Sequence, residues 1–257
     1  HEALAEAQTL GYAERDPTAD VEGFDAAAKA AILASIAFGS KVVAGDVYSE
    51  GISGVSPSDI ESARELGYVV KLLALIEEVD DEIAVRVHPA MVPVNHPLAA
   101  VKDSFNAVFI EADAAGSLMF YGRGAGGMPT ASAVLGDLID AARNLAAGSR
   151  GATMGTAGRK RVRPIDEVAS QFYVMAEVAD RPGVLAAIAS AFGDHGVSIK
   201  SMQQQGIPEL GVTGDARLIF VTHKAKERDF EATMAAVRQL EAVHRVGSIL
   251  RVVGEDE

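Results

Sequence analysis

The chain has no cysteine and no tryptophan among its 257 residues, and aromatic residues make up only 5% of it. Without cysteine there are no disulfides, thiolate metal ligands or thiol nucleophile, a composition that suits a cytosolic, cytoplasmic protein. No apolar run reaches the ~18–20 uncharged residues of a membrane-spanning helix, and no basic, apolar leader opens the chain. Positive charge is scarce as well: 23 Lys and Arg against 36 Asp and Glu give a net charge of −13 and a pI near 4.9. A surface of that sign repels nucleic acid and anionic lipid, so the expected partners are small molecules, with no nucleic acid and no membrane. An initiator Met is also missing. The opening "HEALAEAQTLGY" reads as the middle of an amphipathic helix closed by Gly11, which points to a fragment.

What is present suffices for packed cores: 49% of the residues are hydrophobic, over a length that accommodates two ordinary domains. After a polar turn, "FDAAAKAAILASIAFG" reads as a helix apolar nearly all round, hence buried, with Asp25 and Lys29 as its only charges. "SKVVAGDVYSEGI" reads as extended chain. "SPSDIESARELG" is a short helix, with Ser56 as N-cap, Pro57 at the first position, Asp59 completing a capping box and Gly67 closing it. Four strands follow, "YVVKLLALIEEV", "EIAVRVHPAMV", "SFNAVFIEAD" and "GSLMFYG", and then a helix to about Leu145. Residues 147–167 lose hydrophobic period and read as a linker, whose "RKRVR" is expected to be solvated. Beyond it the order β-α-β-β-α-β is the ferredoxin-like split unit. The expected fold is therefore α+β: a mixed-sheet catalytic and dimerisation domain over 1–146, then a ferredoxin-like domain over 168–257.

Two stretches carry chemistry. In "YGRGAGGMPTASAVLGDL", Gly122, Gly124 and Gly127 fit G-x-G-x-x-G at a strand-to-helix turn, where backbone N–H groups suit an anion. A Rossmann unit also needs a second strand ending in an acid about 20 residues on, and linker follows instead; a tight structural turn is the competing reading. In "LGYAERDPTADVEGFDAAAK", Asp25 and Lys29 stand at i, i+4 on one helical face. On an exposed helix this is an ordinary ion pair, but on a buried one the charges must be paired or used. Lys29 is then a candidate general acid, and Glu14, Asp16, Asp20 and Glu22 form an acidic loop able to hold a cationic group. Polarising a carbonyl beside an ammonium-bearing carbon fits these residues.

These two motifs, with "DVYSEGISGVSPSDIESARELGYVVKLLA" and "VHPAMVPVNHPLAAVKDSFNAV", resemble the catalytic region of homoserine dehydrogenases, in the bacterial form with a C-terminal ACT domain. The resemblance implies NAD(P)H-dependent interconversion of aspartate 4-semialdehyde and homoserine, on the route to threonine and methionine. It makes Lys29 the proton donor to the carbonyl oxygen and Asp25 the residue that binds substrate and orients the lysine. Glu14 takes the substrate ammonium, Asp20 supports the site, and Gly11 and Tyr12 offer backbone contacts near cofactor and substrate. Gly124 and Gly126 are the expected points of backbone approach to the cofactor, NAD or NADP, bound mainly by an N-terminal domain that is absent here; the isolated chain is expected to be inactive. His96 in "NHPL" reads as an ordinary loop histidine before a supporting site residue, and no metal site is expected. "VADRPGVLAAIASAFGDHGVSIKSMQQQ" resembles an ACT domain. Asp180, Gly183 and Val184 are its candidate regulatory-ligand residues, with threonine as the implied effector, although Gly and Pro here also serve simply to shape the turn. The open sheet edges suit pairing in a homodimer or homotetramer. The rival reading is a non-catalytic, amino-acid-binding regulatory or oligomerisation protein.

Overall fold

The computed structural model describes residues 2–11, 13–150, 159–206 and 215–254. Helix α1 (Glu2–Thr9) leads through an acidic loop to a single turn, α2 (Thr18–Val21), and to α3 (Phe24–Phe38). The segment expected to be wholly extended contains a 3-10 turn at Ala44–Asp46, and only β1 (Tyr48–Ser49) is strand. Helix α4 (Pro57–Glu65) starts as its sequence dictates: the Ser56 hydroxyl accepts from the Asp59 amide, and the Asp59 carboxylate accepts from the Ser56 amide. Strands β2 (Tyr68–Val79) and β3 (Glu82–Pro93) pair antiparallel without a break, from Tyr68↔Pro93 to Val79↔Glu82. Their turn holds Asp80 and Asp81 at positive φ, the backbone twist a two-residue hairpin prefers. The hairpin β4 (Phe105–Ala112) and β5 (Gly116–Arg123) forms a separate two-stranded sheet and feeds α5 (Gly127–Ala146).

The C-terminal unit runs β6 (Ala169–Ala179), α6 (Val184–Asp194), β7 (Ile199–Gly206), β8 (Asp215–Thr222), β9 (Ala225–Lys226), α7 (Glu227–Arg238) and β10 (Val243–Val252). Its strands lie in the order β10-β6-β8-β7, all antiparallel neighbours, which is the ferredoxin-like arrangement. The sheet does not stop at β10. The end of β10 pairs parallel with β3 at Arg251↔Ala90 and Val252↔Met91, and β1 pairs parallel with β3 at Tyr48↔Arg86 and Ser49↔Val87. Since β2 occupies the other edge of β3, β1 and β10 lie end to end along one edge, and a single sheet runs through both halves of the chain. One of the two edges expected to be open is thus already filled from within; β7 is the edge left at the far side.

Strand alternation sorts the core into three layers. Phe172, Val174, Ala176 and Val178 of β6 face α6 and α7, where Phe172 and Phe230 stack at 3.8 Å between ring centroids. Tyr173 and Met175 point the other way and pack with Met91, Leu250 and Val252 against Ala63 of α4. On that same face, Ile83, Val85 and Val87 of β3 meet Ala27, Ala30, Ala31 and Ala34 of α3. The all-alanine stripe lets α3 lie close on the sheet, but it is only a stripe. Phe24, Ile32, Leu33 and Ile36 are exposed, so the expectation that α3 is buried all round is corrected: nothing among the described residues covers its outer face. The expectation that the basic segment at 159–163 is solvated is corrected too. Lys160 pairs with Glu78 and Asp81, Arg161 with Glu82 and Glu167, and Arg163 with Asp80 and Glu82, while Val162 bridges to Ile83. Cations that looked solvated are drawn onto the acidic β2–β3 turn.

The Phe172–Phe230 stack anchors the C-terminal core, with both rings fully enclosed. Phe172→Ala is expected to cost about 3–5 kcal/mol, read from urea unfolding of the chain.

Candidate active site

Asp25 and Lys29 form the ion pair their spacing implies, with Lys29 Nζ donating to Asp25 Oδ2 at 2.5 Å. Both face outward: the lysine side chain is 67% exposed and the aspartate 48%. As a stabilising contact, a pair this wet is worth about 0.3–0.5 kcal/mol. The same exposure leaves both groups free to meet a ligand. Gly23 sits at φ 77 as the α3 N-cap, turning the chain so that α2 and its Asp20 precede α3 directly. Glu14 and Asp20 are exposed on the loop before it, and the Glu14 carbonyl accepts from the Gln8 amide. Gly11, at φ 77, closes α1; Tyr12 lies outside the described residues.

A second segment holds this loop in place, and sequence reasoning assigned it no role. The Ser49 hydroxyl donates to the Glu22 carbonyl (3.0 Å), the Ile52 amide donates to the Val21 carbonyl (2.9 Å), and the Ser53 hydroxyl donates to the Glu22 carboxylate. Gly51 passes so close that a Cβ would lie 2.6 Å from the Val21 carbonyl oxygen and 2.7 Å from the Glu22 Cα. Only glycine fits. The "EGISG" stretch was therefore a readable signal of close backbone approach, though its partner was not.

On the opposite face of the sheet lies a buried polar cluster. Arg251, 5% exposed, donates from Nε and Nη2 to the two carboxylate oxygens of Glu227 (2.6 and 2.8 Å) and from Nη1 to Glu50 (2.7 Å). Tyr48 donates to the same Glu50 oxygen at 3.1 Å, and its ring lies 5.5 Å from the guanidinium. His88 is fully buried beside them, with Nδ1 on the Pro89 carbonyl and no partner at Nε2 among the described residues. Burial first, then the positive charge of Arg251, holds its pKa well below the ordinary imidazole value. The neutral ring is the form the fold accepts.

The glycine turn joins β5 to α5. A Cβ at Gly124 would run into the Asn106 amide, and Gly126, at φ 119, is the N-cap of a 20-residue helix. Bare backbone at the start of a long helix fits an anionic or polar cofactor group. No hydrogen bond or ion pair among the described residues joins this turn to α3. Helix α5 buries none of its residues, and Phe120, Tyr121, Leu138 and Leu145 stand exposed. His96 caps a 3-10 turn by accepting from the Leu98 amide and touches Phe109 edge-on, which accounts for it structurally. In the C-terminal unit, Gly183 adopts φ 93 at the N-cap of α6, and a Cβ there would meet nothing; its backbone angle alone requires glycine. Asp180 accepts from Gln204, while the Val184 side chain belongs to the core, leaving only its backbone to face a ligand. Among the described residues, no group of three or more His, Cys, Asp or Glu is arranged to hold a metal ion, and no helix is long and apolar enough to cross a membrane.

Comparison with known proteins fits this geometry. The homoserine dehydrogenase family model matches residues 1–139, and the ACT domain model matches residues 172–242. The homoserine dehydrogenase of Mycobacterium tuberculosis is 51% identical over 258 residues, and that of Corynebacterium glutamicum is 49% identical over 256; each alignment covers 98% of this chain. Among solved structures, a homoserine dehydrogenase from Thiobacillus denitrificans superposes with a TM-score of 0.89 at 37% identity, over 98% of this chain and 58% of that one. That of Staphylococcus aureus gives 0.71 at 30%, over 99% of this chain and 59% of that one. The chain belongs to the homoserine dehydrogenase family and carries an ACT domain at its C-terminus. It spans 58% of the length of the M. tuberculosis relative and 56% of the C. glutamicum one.

Two outcomes are expected. Gly51→Ala forces the Ser49–Ser53 segment off the Val21–Gly23 turn, and amide exchange there should accelerate while that of β8 stays unchanged. His88 makes stability depend on pH with a definite sign: its folded pKa lies below the ordinary 6.5, so an unfolded chain binds the proton first. Stability is then intact above about pH 6.5 and falls as the pH drops below it. Thermal melts between pH ~7.5 and ~5.5 should show that slope, and His88→Gln should flatten it.

Proposed function

We propose that this chain supplies the substrate-binding and regulatory parts of an NAD(P)-dependent oxidoreductase that interconverts aspartate 4-semialdehyde and homoserine. The observation that carries this reading is the Asp25–Lys29 pair, exposed on α3 immediately behind an acidic loop that a dedicated segment holds in shape. The substrate is an α-amino acid with a carbonyl, or the corresponding alcohol, two carbons away from the ammonium-bearing carbon. Its ammonium needs a carboxylate, which Glu14 provides with Asp20 beside it. When bound, NAD(P) would supply or accept the hydride at the carbonyl carbon. Lys29 holds a proton at Nζ against the carbonyl oxygen, stabilising the negative charge that develops there, and Asp25 fixes the direction of that ammonium. Gly11 offers backbone near substrate and cofactor, and Gly124 and Gly126 let the backbone approach the cofactor.

Among the described residues no strand-loop-helix unit is followed by the second strand and acid that a dinucleotide requires, so most of the cofactor is held by residues outside this chain. On its own the chain does not turn over. Residues 1–146 form the catalytic and dimerisation domain, and 168–257 the ACT domain, joined by 147–167. The exposed apolar residues gathered on β5 and α5, Phe120, Tyr121, Leu138 and Leu145 among them, support a homodimer or homotetramer. Asp180, Gly183 and the Val184 backbone bind the effector, threonine.

The test joins the N-terminal segment of the M. tuberculosis relative to this chain and measures homoserine-dependent reduction of NAD and NADP. Lys29→Ala should lower kcat by at least ~10²-fold, as expected for loss of a general acid, and threonine should inhibit the parent. Full activity in the variant removes Lys29 from the chemistry. A fusion that binds amino acids without turnover favours the non-catalytic reading.

A further inference from the structure

We propose that Arg251, in the last strand of the ACT domain, is a positioning residue for the substrate loop and acts through Glu50. The inference rests on the reading above that the Glu14–Asp25 loop binds the substrate. Tyr48 and Ser49 are strand and Glu50 prolongs it, its amide donating to the Val87 carbonyl, so neighbouring side chains over 48–50 point to opposite faces of the sheet. Tyr48 and Glu50 turn toward α7, where Glu50 meets Arg251; Ser49 turns toward α3, where it meets the Glu22 carbonyl. Two residues further on, the Ile52 amide and the Ser53 hydroxyl add two more hydrogen bonds to Val21 and Glu22. One short segment is therefore bonded on one side to the ACT domain and on the other to the turn that separates Asp20 from Asp25.

The stiffness of this connection comes from the arginine. Glu227 takes Nε and Nη2 as a fork, which fixes the guanidinium plane within the ACT domain and leaves Nη1 pointing at Glu50. A lysine has one charged point and cannot satisfy both carboxylates in this way. If Glu50 leaves, Nη1 of a nearly enclosed guanidinium loses its carboxylate acceptor while Glu227 keeps the plane fixed, so the position of Glu50 follows that of β10. Gly51 then transmits the placement by contact, since it has no space to slide against Val21 and Glu22.

Hydrogen–deuterium exchange on this chain tests the connection without requiring turnover. Glu50→Gln keeps the shape of the side chain and removes its charge. Exchange across residues 17–25 should become about tenfold faster, the factor for losing one charge-assisted hydrogen bond, while residues 216–222 of the ACT core stay unchanged. Tyr48→Phe, which removes only one donor to Glu50, should give a smaller change in the same residues and serves if Glu50→Gln does not fold. Unchanged exchange over 17–25 in a folded variant overturns the proposal. In the fusion enzyme, Glu50→Gln should raise KM for homoserine about tenfold with kcat within about twofold, and Arg251→Lys should recover part of that loss over Arg251→Met. A purely structural defect would reduce the amount of active enzyme without moving KM, and that result also overturns the proposal. Failure of the Lys29 experiment strikes the reading of the site instead, and leaves the exchange result to be judged by itself.

Discussion

A guanidinium enclosed between two carboxylates from different parts of the chain is the constraint on which the rest of this structure depends. Burial alone would lower the Arg251 pKa, but hydrogen bonds and charge from Glu227 and Glu50 outweigh it and hold the group above its ordinary value. Such an assembly is a poor source of net stability, because taking Arg251 and Glu227 out of water costs about what their attraction returns, and Glu50 remains partly exposed. What it does is select one arrangement. Any displacement of β10 along β3 that keeps the apolar contacts but breaks the Glu50 arm leaves one charged donor of a nearly enclosed guanidinium without its acceptor, although Glu227 keeps the other two. Hydrophobic contacts tolerate sliding; the forked arginine does not. The parallel pairing of β10 with β3, only two residue pairs long, is held in register by this neighbour.

The cluster also explains why His88 is neutral. Arg86 and His88 of β3 share a face of the sheet with Arg251 of β10; burial first, and then the charge of Arg251 and Arg86, keep the imidazole neutral. Glu77 takes the Arg86 guanidinium at 2.6 Å, just as Glu227 and Glu50 take Arg251, so each cation on this face has its own carboxylate and the histidine has none. A protein with a net charge of −13 thus keeps its interior cations rationed one site at a time.

Local order was legible in the residues. The capping box of α4, the strands β2 to β5 and the β-α-β-β-α-β order each follow from spacing within a few residues, where propensity, pattern and turn chemistry agree. Contacts between distant segments were not. "RKRVR" has no apolar period and reads as linker, because nothing local reveals that Glu78, Asp80, Asp81 and Glu82 form an acidic knuckle placed to receive it. The outer face of α3 misled for a related reason: an apolar residue in the sequence predicts burial, but not which chain segment does the burying. Asp25 and Lys29 were found by their i, i+4 spacing and by resemblance. Glu50 was passed over because a single glutamate after a short strand has no pattern, and it gains meaning only beside Arg251.

Layering decides how the two halves are related. A ferredoxin-like sheet has helices on one face and must cover the other, and here α4 supplies that cover through Ala63, packed on Tyr173 and Met175. The ACT sheet thereby has α6 and α7 on one side, α4 on the other, and β3 along an edge. A unit enclosed on two faces and one edge by the rest of the chain is not a tethered accessory, since its strands and those under the site are one hydrogen-bonded sheet. A change in the β6–α6 loop has to propagate through packed layers, and packed layers respond by shifting between discrete arrangements, not by bending continuously. Under the proposed reading, such a shift would reach the substrate loop where β1 and β10 follow one another along the same edge of β3, which is where Arg251 and Glu50 face one another.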